Sequence, residues 1–257
     1  MTTILDNIIA NKRREIETMD SIFGEIRTEG IEARQTVSMK ESLTASPTGI
    51  IAEFKRRSPS KGEIHPMALV NEVVPDYETA GAAACSVLTD TVYFGGALTD
   101  LTMARSCARL PLLRKDFIVS RRQIAEARVC GADAILLIAA ALSAAEVEDF
   151  TRYAHSLGLE VLFEIHNAVE LDRFCPEVDM VGVNNRDLRT FATDPDLSAT
   201  VVRELPAEVV KVAESGLSSP TEIRKLREAG FRGFLIGETF MRHSAPGEAL
   251  KNFIAEI

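Results

Sequence analysis

The chain has little of what staples a small protein or holds a metal. Its four cysteines, Cys85, Cys107, Cys130 and Cys175, include no C-x-x-C pair. Its four histidines, His65, His155, His166 and His243, show no H-E-x-x-H or similar ligand spacing. The thiols therefore read as buried structural residues, and no metal is expected. Positive charge is also scarce. Against 38 Asp and Glu stand 29 Lys and Arg, a net charge of −9. That balance argues against broad nucleic-acid or anionic-membrane partners, while a local basic patch could still attract an anionic metabolite. The longest apolar run, from Ala134 to Leu142, is far short of the roughly 20 residues that cross a bilayer. No basic stretch precedes an apolar core at the N-terminus, since Lys12, Arg13 and Arg14 follow the apolar residues. A cytoplasmic location is expected. G-x-G-x-x-G and G-x-x-x-x-G-K-[ST] loops, long linkers and low-complexity segments are absent too, which excludes a recognisable dinucleotide or P-loop site.

What is present is a soluble-type composition, 46% hydrophobic and 26% charged over 257 residues, enough for a sizeable core without disulfides. Residues 1–47 read as a helical extension, with Ile4, Leu5, Ile8, Ile9, Ile16, Met19 and Phe23 at helical spacing among charges. Short apolar runs then recur between charged helical patterns. Strands are expected at Gly49–Phe54, Ala84–Thr89, Leu112–Lys115, Ala134–Ile138, Glu160–Glu164, Met180–Asn184, Val209–Glu214 and Gly233–Gly237. Runs such as A-I-L-L-I are apolar on both faces, as in strands covered outside by helices and packed inside a barrel. The expected fold is α/β, a single (β/α)8 barrel domain over 1–257. An open doubly wound sheet is the alternative.

In a parallel barrel the active site lies at the carboxyl ends of the strands. Those ends carry Glu53 and Lys55, Lys115, Glu164, Asn184 and Glu214. Side chains alternate along a strand, so Glu53 and Lys55 share a face and point to the mouth together. Any one terminal charge could simply meet solvent or cap the next helix. Jointly they suit general acid/base work, because carboxylates keep an amine protonated while burial raises carboxylate pKa values. A Schiff-base lysine remains the mechanistic competitor. Ser215 and Gly216 after the seventh strand, and Gly237 and Glu238 after the eighth, offer backbone N–H groups where barrels commonly hold phosphate. The loop from Lys55 to Gly62 is the densest basic stretch and reads either as a solvated loop or as a cationic lid.

The strings IAEFKRRSPSKG, SVLTD, YFGG, LLRKDFIV, GADAILLI, VLFEIH, VGVNNRDLRTF, VAESGL and LIGETFM occur in this order. The chain thereby resembles the indole-3-glycerol phosphate synthase family. The S-P-S-K-G and N-N-R-D-L-R-T-F blocks are its most specific motifs. The resemblance implies cofactor-free ring closure of 1-(2-carboxyphenylamino)-1-deoxyribulose 5-phosphate, with loss of carbon dioxide and water, in tryptophan biosynthesis. It implies Lys115 as general acid, Glu164 as acid/base residue, and Lys55 as the lysine that assists dehydration or holds the substrate anion. Glu53 and Glu214 would orient the lysines, and Asn184 and Ser215 would hold the substrate. Ser58 and Arg186 would lie near its anionic groups, with Phe117 and Leu136 as apolar walls. Val183 replaces a frequent isoleucine, and Glu238 stands where some members have serine, so its carboxylate would have to point away from the phosphate. Some members are fused to phosphoribosylanthranilate isomerase; this chain reads as monofunctional, with association with other tryptophan-pathway enzymes an option. The rival readings are another phosphosugar barrel enzyme using a Schiff-base lysine and a noncatalytic phosphosugar-binding barrel.

Overall fold

Eight short strands pair in parallel into a closed barrel in a computed structural model that describes residues 3–23, 26, 34–186 and 195–257. They are β1 (Ile50–Phe54), β2 (Ala84–Leu88), β3 (Leu112–Lys115), β4 (Ala134–Ile138), β5 (Glu160–Ile165), β6 (Met180–Asn184), β7 (Val210–Glu214) and β8 (Gly233–Ile236). Neighbours follow chain order around the ring, and β8 closes on β1 through Ile50↔Phe234 and Ala52↔Ile236. The closure removes both sheet edges and rules out the open doubly wound alternative. Each strand falls within one residue of the expected one. Gly49 belongs to the turn before β1. Its φ is +67°, and a Cβ there would lie 2.0 Å from the Arg232 carbonyl, so only glycine fits.

Eleven helices surround or cap the barrel among the described residues: α1 (Ile4–Phe23), α2 (Met39–Ala45), α3 (Val70–Ala80), α4 (Thr91–Phe94), α5 (Leu98–Cys107), α6 (Arg121–Val129), α7 (Ala144–Ser156), α8 (Pro195–Val201), α9 (Pro220–Glu228), α10 (Glu238–Met241) and α11 (Pro246–Ala255). A 3-10 turn, Ala168–Arg173, follows β5 where an α-helix would be usual. Helix starts are locally encoded. Ser143 with Glu146 and Ser219 with Glu222 form capping boxes that satisfy otherwise orphaned N–H groups.

The period-two alternation of the strands sorts the apolar residues into two cores. Ile50, Ala52, Phe54, Ile135, Leu137, Val161 and Phe163 face outward and pack beneath the helices. Ile51, Leu113, Ala134, Leu136, Leu162, Met180, Val212 and Leu235 face inward and fill the barrel. Full burial of one such aliphatic side chain stabilises by about 1.5–3 kcal/mol. A one-residue slip in register would exchange the two sets, so the pattern sets the register.

The N-terminal extension divides between the two ends. At the N-terminal end of the strands, α2 plugs the barrel with Met39 and Leu43, both fully buried. Glu160 accepts the N–H groups of Met39 (2.8 Å) and Lys40 (2.9 Å) and the Ser38 hydroxyl, an anion at a helix start. Asp133, wholly buried, accepts from the backbone of Val37 and Leu112 and pairs with Arg34 (2.7 Å) and Arg105 (2.9 Å). At the opposite end α1 lies over the mouth, where Leu5 and Ile8 join the inner core. The buried Lys12 pins it there, with its ammonium 3.0 Å from Asp90 and 3.2 Å from Asp116. The Phe23 side chain lies outside the described residues. Cys85 and Cys175 are buried as expected, but Cys107 and Cys130 are only partly so. Both sit at helix ends, where the last turn opens to solvent.

Candidate active site

A cavity of about 570 Å³ opens at the carboxyl ends of the strands. Each residue given a catalytic or binding role in the sequence lines it: Glu53, Lys55, Ser58, Lys115, Phe117, Leu136, Glu164, Asn184, Arg186, Glu214, Ser215, Gly216, Gly237 and Glu238. The reason is periodicity. Glu53, Lys115, Glu164, Asn184 and Glu214 are the last inward positions of β1, β3, β5, β6 and β7, so strands far apart in sequence deliver them to one ring.

Lys115 sits in a carboxylate cage. Its ammonium is 2.9 Å from Glu164 Oε2 and 3.3 Å from Glu214 Oε2. Glu53 pairs with Lys55 at 2.8 Å, which places a second lysine beside the first. Asn184 Nδ2 donates to the other oxygen of Glu164 at 3.2 Å. Two glycines make this crowding possible. A Cβ on Gly182 would lie 2.1 Å from Glu214 Oε1, and one on Gly237 would lie 2.5 Å from Glu53 Oε1.

The cage sorts protons. Burial alone would depress the Lys115 pKa, but the charges of Glu164, Glu214 and Glu53 outweigh it and hold the amine firmly protonated. Burial would also raise Glu164, yet Lys115 and His166 keep it well below the usual carboxylate range. Glu214 moves the other way. Burial, reinforced by the neighbouring Glu164 charge, pushes it up to about 8 against the pull of Lys115. Its Oε1 is buried without a hydrogen-bond partner, which suits a group that is not fully charged. Around Lys115, then, Glu164 is held in its ionised form while burial pushes Glu214 toward its protonated one. Pairs pushed apart in this way mark acid/base sites.

The walls are apolar on one side. Leu136 and Ile138 rise from β4, and Phe117 packs against Phe94 with ring centroids 6.1 Å apart. Asp116 holds this wall: it accepts the Phe117 N–H at 2.8 Å and the Thr89 hydroxyl at 2.6 Å, and pairs with Arg114 at 3.0 Å. Ile4, Leu5 and Ile8 of α1 complete the cover. On the other side the backbone is strained toward an anion cradle. Ser215 is a non-glycine residue with φ +65°, followed by Gly216 at +75°. Such strain costs of order 1–3 kcal/mol and persists where neighbours enforce it. Asn185 does so here, donating to the Ser215 carbonyl at 3.2 Å while its amide oxygen is fixed by Ser198.

The basic loop divides. Lys55, Ser58, Pro59, Ser60 and Lys61 line the cavity, but Arg56 does not. Its guanidinium forms a two-pronged pair with Asp100 (2.6 and 2.9 Å) and stacks on Phe54, so it anchors the loop from outside. Arg186 reaches across to the Ser60 hydroxyl at 3.1 Å. Glu238 is 3.4 Å from the Lys61 ammonium, so its carboxylate lies along the cavity lining beside that lysine. The rest of the N-N-R-D-L-R-T-F block, 187–191, lies outside the described residues. Sequence reasoning gave no role to His166, Lys12 or Asp116, whereas Lys61 belongs to the loop read as a cationic lid. For His166 the signal was present in E-I-H: position 166 is two residues beyond Glu164 and shares its face.

A family model described as indole-3-glycerol phosphate synthase matches residues 5–253. A protein of that name from Bacteroides thetaiotaomicron is 51% identical, over all of both chains. Another, from Laribacter hongkongensis, is 42% identical over 99% of this chain and all of its own. Among solved structures, an N-acetylmannosamine-6-phosphate 2-epimerase from Clostridium perfringens superposes with a TM-score of 0.59 at 14% identity, covering 84% of this chain and 96% of its own. A tryptophan synthase complex chain from Pyrococcus furiosus gives 0.58 at 16%, covering 81% and 97%. These two speak to the barrel fold alone.

Proposed function

Given that the chain belongs to the indole-3-glycerol phosphate synthase family and is a carbon–carbon lyase of tryptophan biosynthesis acting on a phosphate-bearing small molecule, we propose that the carboxylate-caged Lys115 supplies the proton that starts ring closure. The substrate in this reading is 1-(2-carboxyphenylamino)-1-deoxyribulose 5-phosphate. Its aromatic carbon attacks the ribulose carbonyl as Lys115 protonates the carbonyl oxygen. Carbon dioxide then leaves, which restores the aromatic ring, and loss of the carbonyl-derived hydroxyl as water forms the double bond that completes the indole. Loss of carbon dioxide and water leaves no electrons to be taken up, so the reading calls for no redox cofactor, and the lysines and carboxylates supply the proton transfers.

The observation that carries the proposal is the Lys115 ammonium held 2.9 Å from Glu164 and 3.3 Å from Glu214 beside an apolar wall. A lysine held protonated is a donor, whereas a Schiff-base lysine must first lose its proton. Glu164, kept ionised, is the base for the later transfers. Lys55, ion-paired to Glu53, assists dehydration or holds the substrate anion. Glu53 and Glu214 orient the lysines, and Asn184 holds substrate. Ser215, Gly216, Gly237 and Glu238 cradle the phosphate through their backbone, with Ser58 and Arg186 near the anionic groups. Phe117 and Leu136 sandwich the aromatic ring, where a dry wall favours loss of the carboxylate.

We read residues 1–257 as one barrel domain, with 1–47 as its extension, working in the cytoplasm without a nucleic-acid partner; docking to other enzymes of the pathway is compatible with this. The net charge of −9 supports the absence of polyanion binding. Among the described residues no helix is long and apolar enough to cross a membrane. The test is turnover followed by indole fluorescence, with a metal chelator present, for the parent and for Lys115→Ala. The expected result is chelator-indifferent turnover that falls by about 10²–10⁴-fold in the variant, the range of acid/base contributions. No turnover by the folded parent would overturn the proposal in favour of a phosphosugar-binding protein. A covalent adduct trapped by borohydride on Lys115 would overturn the acid role.

A further inference from the structure

His166 lies beside the proton-transfer machinery but outside the cavity. Its side chain is 9% exposed, and it is not among the residues that line the substrate space, although Glu164 is. Nε2 is 3.2 Å from Glu164 Oε1 and Nδ1 is 3.4 Å from Glu170 Oε2. Each ring nitrogen thus lies within reach of a different carboxylate oxygen. We propose that His166 is a positioning residue for the ring-closing reaction: clamped between Glu164 and Glu170, it fixes the Glu164 carboxylate against Lys115 and keeps it free of a proton. The inference rests on the reading of Glu164 as the acid/base residue.

Three features support it. First, the clamp is built in advance. Glu170 accepts the His166 backbone N–H at 2.8 Å and the Asn167 amide at 3.0 Å, and its own N–H donates to Asn167 Oδ1 at 3.2 Å. The outer carboxylate is therefore rigid before any substrate arrives. Second, the ring is surrounded consistently. The ionisable groups acting on it are Glu164 and Glu170, while the flanking strands meet Glu164 itself with Ile138 from β4 and the Asn184 amide from β6. Burial would strip its proton, but both carboxylates outweigh this and raise its pKa to about 10, so it is charged at neutral pH. Third, the chemistry requires such a charge. When Lys115 gives up its proton, Glu164 loses its principal counter-charge in a buried site. A fixed positive charge on the other oxygen prevents Glu164 from taking a proton too early.

The experiment compares the parent, His166→Gln, His166→Ala and Glu164→Gln, each confirmed folded by its thermal transition. Steady-state kinetics are followed across pH, and the imidazole is titrated by ¹⁵N NMR. For His166→Gln and His166→Ala we expect kcat about tenfold lower or more with KM changed less than about twofold, the low end of an acid/base contribution. Removing a positive neighbour raises the Glu164 pKa, so the acid limb of the kcat profile moves to higher pH by about one unit. By NMR the parent imidazole should stay protonated above about pH 8 and titrate lower in Glu164→Gln. A loss of kcat with an unmoved acid limb, or an imidazole already neutral at pH 7, would overturn the inference. Full turnover by Glu164→Gln would instead overturn the role of Glu164, which separates the two failures.

Discussion

The two ends of the barrel are built from the same strands yet handle charge in opposite ways. At the closed end the acidic groups are matched by fixed partners: the buried Asp133 has two arginines and two backbone N–H groups, and the half-buried Glu160 caps α2. At the open end, Glu53, Glu164 and Glu214 crowd round Lys115, and Glu214 keeps an unpartnered buried oxygen. The first arrangement leaves no charge to spare and serves stability, whereas the second is the one that the proposed mechanism draws on for its proton transfers. Stored electrostatic strain of this kind is tolerated because the inner core and the α2 plug hold the strands in place.

Asp133→Ala should break the comparison most severely. Removing the carboxylate leaves Arg34 and Arg105 without their buried counter-charge and the Leu112 and Val37 N–H groups without their acceptor, and a loss of about 3–5 kcal/mol is expected. Chemical denaturation measures it, and kcat of the remaining folded enzyme should be unchanged. Gly182→Ala acts at the other end. Its Cβ would strike Glu214, and because that oxygen has nowhere to move, kcat should fall by about 10- to 100-fold while stability drops far less than in Asp133→Ala.

The open end should also reveal itself through pH. Glu214 holds its proton up to about 8 in the fold but only to its ordinary value of 4.5 when unfolded. His166 likewise holds its proton to about 10 rather than 6.5. In both windows the native state binds more protons than the unfolded one, so stability must fall as pH rises through them. For His166 the stabilisation is complete below 6.5 and lost as pH climbs through 10. Urea unfolding between about pH 5 and pH 9 should show that decline, and Glu214→Gln should flatten the lower part of it. The smallest effect is expected for Glu238→Ser. Its pair with Lys61 is half open to solvent, so stability should change by less than about 1 kcal/mol. Freed of the carboxylate, Lys61 should lower KM for the phosphorylated substrate a few-fold, read from initial rates at low salt.

Much of this architecture was legible beforehand because it depends on local periodicity. Runs such as Ala134–Ile138 and Leu112–Lys115 mark both their strands and, through the inward parity of Lys115, the side on which chemistry occurs. All the proposed site residues line one cavity for that reason. Arg56 shows the limit. It stands next to Lys55 in a basic run, yet its partner Asp100 lies 44 residues away, and no local pattern announces that pairing. Lys12 is similar: a lysine in an amphipathic helix reads as solvated until Asp90 and Asp116 are brought around it. His166 was readable by parity alone, but its significance depends on Glu170, placed by the turn that follows β5.

By itself, then, the order of residues determined the eight strands, their inward and outward faces, and which charged side chains would meet at the barrel mouth, because side-chain alternation is a property of the extended chain. Only the tertiary structure decided how those charges share their protons. That sharing depends on burial and on separations of about 3 Å between groups far apart in sequence, and closure of the barrel sets both.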